Sequence, residues 1–199
     1  MSETDILYRP WGIVTSEFWE RPQTTQQPAP VASPQQPYSS SGPASSDDGS
    51  PEVPAAYRDG ILQVTSAFSS RDPQVLRSAQ VEAERLDQAM TAEYGEHDLR
   101  TISVREMRGW LAHLTGEHET ASRWYLHTVG LLSSVLGTSD DRTRASAKRA
   151  VATWLSIADQ AVAKGLAPTI LAMAEEVEGK ESSSANAVRR RANAGASAA

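Results

Sequence analysis

The sequence predicts an all-α protein, a short stacked array of about three antiparallel helix hairpins with disordered tails at both ends. Three observations carry this. Between Ala55 and Gly179 apolar residues recur at helical spacing. Eight of the eleven prolines fall between Pro22 and Pro54, outside that region. Within it, the phrase "YGEHDLRT" (Tyr94–Thr101) returns 42 residues later as "LGTSDDRT" (Leu136–Thr143), keeping a Gly, an Asp and "RT" at matching places. A fixed offset of this size marks stacked helical hairpins, none of which can bury its apolar face alone.

The elements follow in order. Residues 1–20 crowd Ile6, Leu7, Tyr8, Trp11, Ile13, Val14, Phe18 and Trp19 into a short space. Residues 21–54 are rich in Pro, Gln and Ser, a composition that buries too little apolar surface to offset the entropy of ordering. A first helix is expected over 55–69 on Tyr57, Ile61, Val64 and Phe68. A second spans 73–94, with Asp72 as N-cap and Pro73 at the first helical position. Gly95 ends it as a C-cap. The third helix covers 99–114 (Val104, Met107, Leu111, Leu114). The fourth covers 118–136 (Ala121, Trp124, Tyr125, Val129, Leu132) and ends at Gly137. A fifth is expected over 141–163, broken by Gly165, and a sixth over 167–177 with Pro168 near its start. The tail 180–199 shows no apolar face and reads as disordered. The four segments are thus a docking segment (1–20), a linker (21–54), a helical domain (55–179) and a tail (180–199).

The repeated phrase is helix-ending and helix-starting machinery: Gly closes one helix, and Asp98 or Asp140 caps the next and complements its dipole. Beside these residues stand Gly109, Gly116, Ala121 and Tyr125, and in the next hairpin Ala147, Ala150, Val151 and Trp154. In these features the chain resembles tetratricopeptide-repeat proteins, in particular the 42-residue kind found in kinesin light chains and many bacterial proteins. The resemblance covers residues 73–163 and extends weakly to 55 and 178. It departs from the family at Arg105 and Arg108, where bulky apolar residues are usual. It implies an α-solenoid whose first helix in each hairpin lines a peptide-binding groove. The implied groove residues are Ser103, Glu106, Trp110 and His113 and, after the 42-residue shift, Ala145, Lys148, Ala152 and Leu155. Trp110 either offers a rigid contact there or packs against the neighbouring hairpin.

Composition limits the function. With no cysteine, disulfides, thiolate metal sites and cysteine nucleophiles are excluded. No apolar run is long enough to span a membrane, and the N-terminus lacks a secretory pattern, so a cytoplasmic location is expected. The net charge of −6 argues against broad phosphate-backbone binding. The histidines (His97, His113, His118, His127) form no metal-ligand pattern, and no nucleophile elbow, dinucleotide fingerprint or phosphate loop is present. No enzyme activity, metal or cofactor is expected. The expected function is a protein–protein interaction scaffold or adaptor for a peptide or protein partner. Arg105 and Arg108 can grip a partner carboxylate or stand solvated. Leu7, Tyr8, Trp11, Val14, Phe18 and Trp19 form a candidate docking motif, in which Leu7, Trp11, Val14 and Phe18 align at helical spacing. The sixth helix, apolar on one side, offers a face for a homodimer. The alternative is a transcription-linked regulator acting with a DNA-binding partner, with Arg189–Arg191 as its basic feature.

Overall fold

The computed structural model describes residues 54–196. The docking motif of residues 1–20 and residues 21–53 of the linker lie outside the described residues. Seven α-helices follow one another: α1 (Ala55–Ser66, closed by a 3-10 turn at Ala67–Ser69), α2 (Pro73–Tyr94), α3 (Leu99–Leu114), α4 (His118–Leu136), α5 (Asp141–Leu155), α6 (Gln160–Glu178) and α7 (Ser183–Ala196). No strand occurs among the described residues. Each helix packs against its neighbours in sequence, and further contacts join α4 to α6 and α5 to α7.

The 42-residue step governs the helix bounds as well as the repeated phrase. Helices α3, α5 and α7 begin at Leu99, Asp141 and Ser183, while α4 and α6 begin at His118 and Gln160. Helices α2, α4 and α6 end at Tyr94, Leu136 and Glu178. Local chemistry sets these ends. Gly95, Gly137 and Gly179 have φ of 86°, 89° and 95°, which side chains resist, and their N–H groups bond back to the carbonyls of Thr91, Ser133 and Glu175. Three residues beyond each glycine a side chain caps the next helix. Asp98 and Asp140 accept from the Arg100 and Arg142 N–H at 2.8 Å, and Ser182 accepts from the Ala185 N–H at 3.2 Å. The junction therefore occurs three times.

Two expectations are corrected. The fifth helix ends at Leu155, not 163, because Asp159 accepts from the Ala161 and Val162 N–H groups and starts α6 at Gln160. Gly165 and Pro168 then lie inside α6. The continuous buried stripe Ala163, Leu166, Ala167, Ile170, Ala174 and Val177 outweighs their intrinsic cost. The tail expected to be disordered forms α7 as far as Ala196. Ala185 and Val188 are fully buried. Arg191 donates to the carbonyls of Trp154, in the last turn of α5, and Ile157, just beyond it, and its guanidinium lies 4.8 Å from the Trp154 ring centroid. Arg189 pairs with Glu175 at 2.5 Å. Helix α7 thereby covers apolar surface of α6 that was expected to offer a dimer face.

The core has two main parts. Tyr57, Ile61, Val64, Phe68, Leu86, Met90, Met107 and Leu111 pack α1, α2 and α3 together. Tyr125, Ala150, Trp154, Ile170, Ala174 and Val188 join α4 to α7. The Trp154 indole N–H donates to the Ala163 carbonyl at 2.9 Å. Between α3 and α4 the approach is close: a Cβ at Gly109 would stand 3.2 Å from the Trp124 Cβ and 3.3 Å from the Tyr125 ring.

Replacing Gly137 by Ala is expected to destabilise the protein by about 1–2 kcal/mol, the cost of a positive φ for a side-chain-bearing residue. Gly130 lies inside α4 with open space around its Cα. Gly130→Ala is expected to stabilise by roughly 0.5–1 kcal/mol through helix propensity. Urea unfolding of both variants checks the pair.

Candidate partner-binding face

Helix α3 positions everything at this face, and a buried carboxylate on α2 holds α3. Asp87 is 6 % exposed. One of its oxygens accepts from Arg105 Nε at 2.9 Å and the other from Arg108 Nη1 at 2.6 Å. Arg105 also donates to Thr91 Oγ1 at 3.0 Å and meets His127 Nε2 at 3.0 Å. Arg108 stacks on Trp124, 4.2 Å from the ring centroid. The two arginines that sequence places as exposed residues for a partner's carboxylate thus grip a carboxylate of this chain, Arg105 in the interior and Arg108 partly covered. A charged interior pair persists only when its hydrogen bonds are satisfied, and here both carboxylate oxygens are.

The stripe Ser103, Glu106, Trp110 and His113 runs along another side of α3. The structure brings its first two members together with α5. Arg142 Nη2 donates to the Leu99 carbonyl at 3.3 Å, Ser103 Oγ at 2.7 Å and Glu106 Oε2 at 3.1 Å. Ser103 and Glu106 are buried rather than open to a groove. Trp110 is also buried, at 7 %, within the α1–α3 core. Its ring stacks on His113, which in turn faces His118, with both centroid separations 5.1 Å. Burial, followed by the nearby His118, pushes the His113 imidazole below its ordinary range. Burial and then the Arg105 charge do the same to His127.

On α5 the stripe Ala145, Lys148, Ala152 and Leu155 remains accessible. The first three are half-buried, and Leu155 is 42 % exposed. Beside it lies Arg149, 6 % exposed and two turns from Arg142. Burial pushes the Tyr125 hydroxyl up, the Arg149 charge opposes that shift and the Glu106 charge adds to it. Glu106 Oε1, Trp110 Nε1 and Arg149 Nη1 are buried without a hydrogen-bond partner among the described residues. Buried polar atoms are normally satisfied, so three such atoms on α3 and α5 mark an unusual place. Sequence reading missed Arg149 and Asp87. Their signal was a charged residue at a helical-core position and, for Asp87, opposite charges falling in the next helix.

Of the C-terminal basic triplet, Arg189 and Arg191 are engaged within the fold, leaving Arg190 exposed. Among the described residues no group of three or more His, Asp or Glu side chains is placed to hold a metal ion. No described helix is long and apolar enough to cross a membrane.

Fold and face together define an all-helical protein, over its described residues, built on a 42-residue structural step. Compared with known protein families, characterised proteins and solved structures, the chain finds no match.

Asp87→Asn leaves two covered guanidinium groups without their counter-charge and is expected to cost roughly 3–5 kcal/mol in denaturant unfolding. Glu119→Gln, the control, breaks an exposed pair with Arg123 and is expected to have little effect on stability. His113 and His127 have depressed pKa values in the fold, so the unfolded chain binds their protons more readily. Stability should therefore be full above the ordinary histidine value of about 6.5 and fall as pH drops below it. Melting temperatures at a pH one unit above and one unit below that value check the sign.

Proposed function

We propose that the protein is a non-enzymatic interaction scaffold or adaptor that holds a peptide or protein segment against the α3–α5 face. The carrying observation is the pair of buried, unpartnered polar atoms on that face: Glu106 Oε1 and Arg149 Nη1. An incoming backbone carbonyl or carboxylate suits the donor, Arg149, and a backbone N–H suits the acceptor, Glu106. The accessible stripe of α5 supports this reading. Ala145 and Ala152 keep it shallow, Lys148 adds a charge and Leu155 an apolar contact. The step of 42 residues agrees with the tetratricopeptide-like groove that the sequence resembles, in which α3 and α5 are the lining helices. Two histidines have packing duties, His113 against Trp110 and His127 against Arg105, which favours interaction over catalysis.

Trp110 is a poor reporter for this function, since truncating a buried tryptophan costs about 3–5 kcal/mol and disturbs the fold itself. Lys148 and Leu155 are better. A Lys148→Glu, Leu155→Glu double variant is expected to keep the melting temperature while losing a specific partner that the unaltered chain captures. A partner held equally by both chains would contradict the assignment of this face.

A further inference from the structure

We infer that the α3–α5 face is occupied in cis by the chain's own residues 1–20, so that an external partner must displace them. The inference rests on the reading of this face as a binding face and names its resident occupant. Three features select that segment. The first is charge. Residues 1–20 carry four acids (Glu3, Asp5, Glu17, Glu20) against one base, Arg9. Helix α5 carries four bases (Arg142, Arg144, Lys148, Arg149) against one acid, Asp141; Arg142 is paired with Glu106, which leaves Arg144, Lys148 and Arg149. The surpluses are opposite in sign, and complementary charge fixes register and speeds encounter.

The second is chemistry. Leu7, Trp11, Val14 and Phe18 align at helical spacing and match the shallow apolar strip of Ala145, Ala152 and Leu155. Asp5, Glu17 and Glu20 offer carboxylates to the unpartnered Arg149 Nη1. The third is reach. The described chain begins at Pro54, at the start of α1, and residues 21–53 separate it from the segment. A segment of that length reaches about 30 Å. A domain of this size has a radius of gyration of about 15 Å, so the face lies within range. Tethering at this length gives an effective concentration on the order of millimolar, enough to fill a weak site.

The chain contains no cysteine, so a pair of introduced thiols reports the docking in the full-length protein. Thr15→Cys lies in the segment and Ala152→Cys on the α5 strip. A control pairs Thr15→Cys with Ala172→Cys, which lies exposed on α6. Under mild oxidation the disulfide of the Thr15→Cys, Ala152→Cys variant is expected to form within one chain at least about tenfold faster than that of the control, by its higher effective concentration. Adding Lys148→Glu should slow it. Equal rates for the two pairs, or a fast rate indifferent to Lys148→Glu, would overturn the cis assignment. If cross-linking fails while an external partner still depends on Lys148 and Leu155, the binding face stands and only its resident occupant is wrong. If both fail, the face itself is not a binding site.

Discussion

The pairing of Asp87 with Arg105 and Arg108 is the constraint on which the rest depends. It ties α2 to α3, a helix covered along most of its length. Apart from Arg108, every residue of α3 from Thr101 to Ala112 is buried. A helix in that position cannot leave a charge unmatched, because an unpaired interior ion costs several kcal/mol. Once Asp87 sets the register of α3, Gly109 allows α4 to close on it through Trp124 and Tyr125. Arg142 then reaches back from α5 to Ser103 and Glu106. The position of the candidate face follows from that sequence of contacts.

Much of this was legible in the sequence because it is written locally. Helix ends depend on a few neighbouring residues, and Gly95, Asp72, Asp98, Gly137 and Asp140 announce theirs. The third junction was harder to see. Gly179 and Ser182 keep the 42-residue offset and the same geometry, but Ser replaces Asp and the "RT" is gone. Only the offset could have revealed α7. Its stability comes from two small buried side chains and from Arg191 bonding to the end of α5, a non-local arrangement that hydrophobic periodicity does not record. The end of α5 was misplaced for a related reason: Asp159 is a stronger start signal than Gly165 is a stop signal.

The site was less legible than the fold. The resemblance to tetratricopeptide repeats implied Ser103, Glu106, Trp110 and His113 as one groove-facing set. It could not tell that Arg142 would close over the first two, or that Trp110 would face the core. Arg105 and Arg108 looked out of place for a core because their counter-ion lies 18 and 21 residues away, on another helix. Exposure is a property of the assembled neighbours, whereas stripe membership belongs to a single helix. The accessible surface therefore shifts from α3 towards Lys148 and Leu155 on α5.

The central claim is that α3 is the most firmly held element and that stability declines towards the first and last of the described helices. Hydrogen exchange on the full-length chain tests this most directly. In a stacked array the inner elements gain from neighbours on both sides and the end elements from one. The account predicts the slowest amide exchange in α3, followed by α4 and α5, with α1 and α7 faster but still protected relative to an unfolded chain. Exchange in α3 as fast as in α1, or no protection in α7 from Ser183 onward, would contradict it.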